Sequence, residues 1–511
     1  TIYGQYMQSE TFSLNEVAKE FLGDSKKDFT HMHSSKINNW NSYFEYNLQD
    51  SLLTYKLFEK FWKDLAEFSN IIHEPPFEIS RSGLSKLVEL YILHQLPKYN
   101  EIPEAKPSYD EIRRRRERPP VKGAFVLEPK PGIYENIVMF DFSSMHTSII
   151  ISMNLSKATL LEKKEKDCYE TPEFYFGNKK TKFYFSKKQG FLASIRKEVL
   201  EKRKQYKKEY KKNPNGITKA RSNAFKVLSA SVHGYIGFFG ARYYSLETSA
   251  SILAFVRKYN KGIIEKVKRM GYEVIYGDTD SIAFVRGKKS KKDVLDLLKK
   301  LNNELPGVME LELEDFYKRG IWVTTRTGKA GAKKKYALIN EKGRLKIRGF
   351  ETVRRDWCEL ARKVQDKVLR LILEDGNEKR ALKYVKEIIE KIEQKRIPLN
   401  QLIIKTQLKK PLSEYKAISP HVIAAKKMKD SGIPVEVGGL IEYYIAKSQK
   451  EKSLIRERVK LPQEKGEYDI EYYLEHQIIP AVENIFQVFG IDAKNLVKRG
   501  GGGHQKTLHE F

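Results

Sequence analysis

The chain has 511 residues, too many for one ordinary hydrophobic core, so two to four subdomains are expected. Its formal charge of +29, with Lys and Arg interleaved among 29 Tyr and 26 Phe, points to a polyanionic partner, nucleic acid first; a lysine-rich solvated surface is the alternative source. Cys168 and Cys358 are too few for a disulfide framework or a metal cluster, which suits a reducing, cytoplasmic setting, and no apolar run reaches the length of a membrane span.

Residues 1 to about 70 read as mixed helix, ending in the amphipathic "YNLQDSLLTYKLFEKFWKDL". After "HEPPF" a helical stretch leads to "RRRRERPP", Arg113 to Pro120, whose charge run and prolines predict an exposed connection. "NIVMFDFSSMHTSIII" predicts a buried strand, a turn and a helix. Two basic helices follow, Gly190 to Lys212 and Ile217 to Ser231, joined by the turn signal "NPNG" as an antiparallel hairpin. Strands dominate from Gly271 to about Tyr336, and beyond Gly349 the Lys/Glu patterns predict mainly helix. Gly500 to Gly503 read as a flexible tether.

Within "VIYGDTDSIAFV", Asp278 and Asp280 sit between two apolar runs, where an unpaired carboxylate costs several kcal/mol to bury. In a hairpin both fall at one tight turn, and their repulsion calls for a cation. Asp141, at the end of another apolar strand, supplies a third acid. Three acids without His or Cys nearby favour a hard ion such as Mg²⁺. An ordinary polar hairpin turn would explain "GDTD" taken alone.

Together the segments resemble family B DNA polymerases. "DFSSMHTSII" is similar to the first palm motif, "KVLSASVHGYIGF" to the fingers motif and "YGDTDS" to the second catalytic palm motif, in the family's order. "KKKY" followed by "RGFETVRRDWCELA" resembles the palm-to-thumb passage of archaeal members. The resemblance implies an α+β right-hand fold: an antiparallel palm, helical-hairpin fingers and a mainly helical thumb, behind the remnant of an exonuclease domain. The implied parts are 1–70 exonuclease remnant, 71–186 linker and first palm segment, 187–238 fingers, 239–330 second palm segment, 331–499 thumb and 500–511 tail.

It further implies template-directed transfer of a nucleotide from a dNTP to a primer 3′ hydroxyl, with two Mg²⁺ ions, Mn²⁺ being an alternative. Asp141, Asp280 and the Phe142 carbonyl would hold the ions, with Asp278 a supporting acid. Ser143, Ser144, Met145 and His146 would underlie the triphosphate and sugar, and Arg203, Lys207, Lys226 and Ala230 would face the nucleotide from the fingers. Lys334, Lys335, Tyr336, Arg354 and Arg355 would meet primed template DNA, with burial in the palm core the alternative place for Tyr336. A metal-dependent nuclease would not need the basic hairpin, and an inert nucleic-acid-binding relative would not need Asp141 with Asp280.

Four residues depart from the family's pattern: His146 and His233 stand where Tyr is usual, Thr147 where Pro is usual and Ala230 where Asn is usual. A histidine able to titrate near neutral pH puts sugar discrimination in question. Tyr46 and Asp50, in "YNLQD", resemble the third motif of the proofreading exonuclease, whose first two motifs do not appear upstream; a fragment or a split enzyme with a separate N-terminal chain is expected. Gln505, Leu508 and Phe511 resemble the short peptide that binds the sliding clamp. Such a replication enzyme would be nucleoid-associated.

Overall fold

The computed structural model describes residues 13–26, 40–325, 328, 330–353, 356–433, 435–448 and 453–497. They divide into two units, each built from two separate stretches of chain. Among the described residues no helix is long and apolar enough to cross a membrane.

The first unit covers residues 1–127 and 139–314. It opens with helices α1 (Leu14–Leu22), α2 (Trp40–Ile72), α3 (Pro76–Arg81), α4 (Leu84–Gln95) and α5 (Tyr109–Arg116). The arginine run forms the last turn of α5, and Arg113, Arg114, Arg116, Glu117, Pro119 and Pro120 are exposed, as expected of this stretch. The Arg115 guanidinium donates to the carbonyls of Phe239 and Ala241 and lies 4.8 Å from the Tyr244 ring centre. Delocalised charge is weakly hydrated, so such an aromatic and carbonyl pocket can accept it.

Strand β1 (Val126–Leu127) and the end of β2 (Gly132–Phe142) come next, then α6 (Met145–Ser152). Five short strands follow, β3 to β7 (Leu160–Leu161, Cys168–Glu170, Phe174–Phe176, Lys179–Thr181, Tyr184–Ser186). Helices α7 (Phe191–Lys212) and α8 (Gly216–Gly237) form the predicted hairpin, with Tyr206 stacked on Phe225 at 5.4 Å. Asn215 caps α8 through a reciprocal box with Thr218, which fixes where the second arm starts. That arm runs beyond Ser231, because the buried Val232, Tyr235 and Ile236 continue its apolar face.

Helix α9 (Leu246–Arg269) leads into the hairpin β8 (Glu273–Asp278) and β9 (Ser281–Val285), so the strand order here is β1-β8-β9-β2. Helix α10 (Lys291–Asn303) interrupts the stretch predicted to be strand. Its Val294, Leu297 and Leu301 recur at helical spacing, and Ser290 caps it.

The second unit covers residues 128–138 and 315–511, with strand order β2-β10-β11-β12, where β10 is Leu311–Thr324, β11 Gly331–Asn340 and β12 Leu345–Arg348. Gly349, at φ +68°, follows β12 where a Cβ would stand 2.1 Å from the Lys334 carbonyl oxygen, so no other residue fits. Helices α11 (Glu359–Asp375), α12 (Lys379–Glu393) and α13 (Pro420–Asp430) cover a large aliphatic core. This half is less helical than expected: β13 (Ile404–Gln407), β14 (Leu440–Ile445) and β15 (Val459–Lys460) form an antiparallel sheet. The chain is α+β, as the resemblance implies.

Candidate active site

The first unit contains the three acids. Ile137 to Phe140 are fully buried in β2, and Asp141 follows as the first residue with access to solvent. The Phe142 amide donates to the Asp280 carbonyl at 2.9 Å, which ties the end of β2 to the β8–β9 turn. Asp141 and Asp280 therefore belong to adjoining backbone segments although they are 139 positions apart in sequence.

Asp278, the last residue of β8, is held differently. Its Oδ1 accepts from the Thr279 hydroxyl at 2.9 Å and its Oδ2 from the Tyr276 hydroxyl at 3.2 Å. With both oxygens engaged by the hairpin itself, it is suited to a supporting role. Thr279 adopts φ +52°, a conformation that costs a β-branched residue of order 1–3 kcal/mol. Its amide donates to the Phe125 carbonyl at 3.0 Å and its carbonyl accepts from the Asn260 side chain at 3.0 Å, and these bonds hold the turn.

The bend after β2 prepares an anion site. Ser144, at φ +51°, starts α6 without capping it, so the first amides of the helix keep no side-chain acceptor. Ser143 donates its amide to the Glu310 carbonyl at 2.8 Å, and the Ser148 hydroxyl donates to the Ser143 carbonyl at 3.0 Å. Arg203 of α7 donates to the Ser144 hydroxyl. Burial lowers the pKa of this guanidinium, a sign that its charge is poorly solvated.

One turn along α7, the Lys207 ammonium lies 3.3 Å from Glu312, and Lys204 lies 2.7 Å from Glu310. Burial opposes ionisation of Glu312, but Lys207, the Ser143 hydroxyl and Arg203 hold its carboxyl below the usual range. Sequence reading named Arg203 and Lys207 but missed these glutamates, which lie more than a hundred positions away. Lys226 and Ala230 are exposed one turn apart on α8.

The two substituted histidines meet. The rings of His146 and His233 lie 4.6 Å apart, tilted by 37°, and His233 Nε2 is 3.4 Å from the Ser249 hydroxyl. Burial, with His233 beside it, pushes His146 down to about 4, and burial lowers His233 as well. The expectation that His146 titrates near neutral pH is therefore corrected: the pocket keeps it uncharged there.

Thr147, the second departure, is absorbed by a buried cation that sequence reading missed. Its hydroxyl donates to the Ser229 carbonyl at 2.9 Å and accepts from Arg196 at 3.3 Å. Arg196, 1% exposed, also donates to the carbonyls of Leu228 and Ser229, joining α6, α7 and α8. Burial pulls this guanidinium down to about 9.

Other expected site residues lie elsewhere. In the second unit Lys334 is exposed, but Lys335 is only 13% exposed and pairs at 2.9 Å with the buried Glu351. Tyr336 is buried and stacked on Trp322 at 5.5 Å. Lys335 does not match the expectation of a side chain presented to DNA, because it completes an internal pair that local pattern does not reveal, while Tyr336 takes the core position that was the other expectation for it. Arg354, Arg355, Gln505, Leu508 and Phe511 lie outside the described residues. On α2, the Lys26 ammonium is 2.6 Å from Asp50 and 2.7 Å from the Tyr46 hydroxyl, so an internal cation neutralises the exonuclease-like pair.

Among the described residues no three His, Cys, Asp or Glu side chains are grouped to hold a metal by themselves. The donor chemistry at the β2 end still fits a hard divalent ion. Asp141, Asp280 and the Phe142 carbonyl offer oxygen alone, and Mg²⁺ ordinarily takes one or two carboxylates and completes its shell with substrate phosphates and water.

The model of DNA polymerase family B matches residues 79–489. A DNA polymerase of Pyrococcus glycovorans is 38% identical over 460 residues, which are 87% of this chain and 57% of the relative. DNA polymerase 1 of Pyrococcus abyssi is 36% identical over 505 residues, 95% of this chain and 63% of that protein. The solved family B DNA polymerase of Pyrobaculum calidifontis matches with a TM-score of 0.69 and 31% identity, over 96% of this chain and 63% of that one. The chain thus spans about three fifths of the length of these relatives.

Proposed function

Because the chain belongs to DNA polymerase family B, we propose that it transfers nucleotides from dNTPs to the 3′ hydroxyl of a primer, directed by a DNA template. The observation that carries this reading is the Phe142–Asp280 backbone bond, which brings the Asp141 and Asp280 segments together at the foot of a basic helical hairpin. Asp141, Asp280 and the Phe142 carbonyl are assigned to two divalent ions, Mg²⁺ or Mn²⁺. When bound, such ions activate the attacking hydroxyl and stabilise charge on the leaving pyrophosphate.

The chain's own residues bind and orient. Arg203, anchored by Ser144, and Lys207 neutralise the triphosphate from α7, with Lys226 contributing from α8. The amides of Ser144, Met145 and His146 receive phosphate oxygens at the uncapped start of α6. The His146–His233 pair forms the floor for the sugar, and Asp278 holds the turn in shape. A phosphodiester-cleaving reading uses the same acids but leaves the hairpin cations without a role.

Primed template DNA and dNTPs are the proposed partners, with a sliding clamp at the tail peptide and nucleoid association following from the DNA. A polypeptide equivalent to the remainder of the relatives, which this chain does not match, is a further proposed partner. With Asp50 held by Lys26, the chain alone is proposed to lack proofreading. Primer extension with purified chain, Mg²⁺ and dNTPs tests the central reading. Template-independent degradation, or no incorporation at all, would overturn it.

A further inference from the structure

Arg196 is a buried charge for which the proposed reaction has no use. It is 1% exposed, and its acceptors among the described residues are all neutral. Both terminal nitrogens lie 3.1 Å from the Leu228 carbonyl, and one of them also donates to the Ser229 carbonyl at 2.9 Å and to the Thr147 hydroxyl at 3.3 Å. Its Nε is buried with no partner among the described residues. Neutral oxygens offset less of a guanidinium's lost hydration than a carboxylate does, and an aliphatic side chain would fill the same space without that cost.

The place of the charge suggests what it does. Thr147 follows His146 on α6, Ser229 lies one turn before His233 on α8, and Arg203 lies seven positions beyond Arg196 on α7, on the same face. One guanidinium thus ties together the three helices that carry groups assigned to the nucleotide. Thr147 closes the link, since its hydroxyl accepts from Arg196, donates to the Ser229 carbonyl at 2.9 Å and lies 3.3 Å from the Ser229 hydroxyl. The proline usual at this position has no side-chain donor or acceptor, so the link depends on this chain's departure from the family pattern.

We propose that Arg196, acting through Thr147 and Ser229, is a positioning residue that sets the spacing of His146, His233 and Arg203, and with it the preference for deoxyribose over ribose. The proposal rests on the polymerase reading for its substrate. The two sugars differ by one hydroxyl, so the histidine floor must be held closely, and a misplacement of about 1 Å costs on the order of a hundredfold. The histidines fix each other loosely: their rings are tilted by 37°, and His233 reaches Ser249 only at 3.4 Å. The shorter bonds are those at Ser229, one turn away.

Arg196→Met keeps an unbranched side chain in the space and removes every donor, while Thr147→Val keeps the β-branched shape and removes the hydroxyl. In single-nucleotide incorporation opposite template dG, each should lower the ratio of kcat/KM for dCTP to that for CTP by about tenfold. Arg196→Lys, which keeps the charge and donors, should recover part of the loss. The double variant should discriminate no worse than Arg196→Met alone, because the two residues act through one link. In ¹³C-labelled histidine spectra the His146 and His233 ring signals should shift in Thr147→Val, with its unfolding temperature near the parent's. Unmoved signals in that folded variant overturn the proposal whether or not the chain extends primers. If the parent extends but dCTP and CTP kinetics fall together in the variants, the role is merely structural and the proposal is overturned, with the polymerase reading intact. A parent that incorporates neither nucleotide removes the polymerase reading and the sugar preference with it, while the shifted ring signals still support the positioning.

Discussion

The amide of Phe142 and the carbonyl of Asp280 are joined at 2.9 Å, so the two segments that bear the assigned metal carboxylates are positioned by backbone. Backbone positioning separates chemistry from folding: the carboxylates can be altered without removing the bond that places them.

Asp141→Asn and Asp280→Asn should each lower the primer-extension rate by two or more orders of magnitude, the scale on which lost transition-state stabilisation appears. Unfolding temperature and affinity for primed DNA should stay near those of the parent. Rapid-quench incorporation beside a DNA-binding titration checks both halves, and a variant that extends at the parent rate would remove its aspartate from the site.

Arg203→Ala and Lys207→Ala should raise the apparent KM for dNTP or lower the incorporation rate, with little change in DNA affinity. Glu312→Gln should act in the opposite sense on nucleotide affinity, because it releases Lys207 from its present partner at 3.3 Å. Single-turnover titrations with dNTP distinguish these outcomes; a shared loss of DNA affinity would return the cations to a general basic surface.

His146 makes stability depend on pH in a defined window. Its folded value of about 4 lies below the 6.5 of an unfolded histidine, so the unfolded chain binds the extra proton first as pH falls. This group's contribution is complete above about 6.5 and is lost progressively down to about 4, by a few kcal/mol in all. His146→Gln should therefore lose less stability than the parent between pH 7.5 and 5 in denaturant titrations. Parallel curves would mean that the imidazole titrates alike in the folded and unfolded chain.

Lys335→Ala should behave as a core lesion. Removing one partner of a buried pair costs about 3–5 kcal/mol, and Glu351 also accepts from Gln365 at 2.7 Å, so the orphaned carboxylate cannot turn to water. The salt dependence of DNA binding should stay at the parent slope, while loss of one phosphate contact would lower the slope by about one. Urea unfolding and a salt series answer the two questions separately.

Local pattern revealed Asp141 at the end of a buried strand, the Asp278–Asp280 hairpin and the two helices joined at "NPNG", since each signal is contained within a dozen or so residues. It could not reveal Arg196 beneath Thr147, Glu312 against Lys207 or Glu351 under Lys335, because a charged residue looks the same in sequence whether water or a distant carboxylate receives it. Helix α10 escaped for another reason: "KKDVLDLLKKLNN" lies between strands, and the neighbouring β pattern outweighed a helical spacing that was present.

The divided course of β2 also bears on how the chain reaches its fold. Arg319 bonds Glu135 across 184 positions of sequence, and Tyr134 packs on Trp322 at 5.7 Å, so the second unit's sheet needs an early strand to find partners made much later. A loop of that length costs entropy before any contact repays it, which slows closure. During synthesis, β9 can meet β2 first, but Tyr134 and Glu135 must wait for Trp322 and Arg319 to emerge. The second unit is therefore expected to be the later one to acquire protection from proteolysis, and a chain stopped at 314 to leave Tyr134 and Glu135 without these contacts.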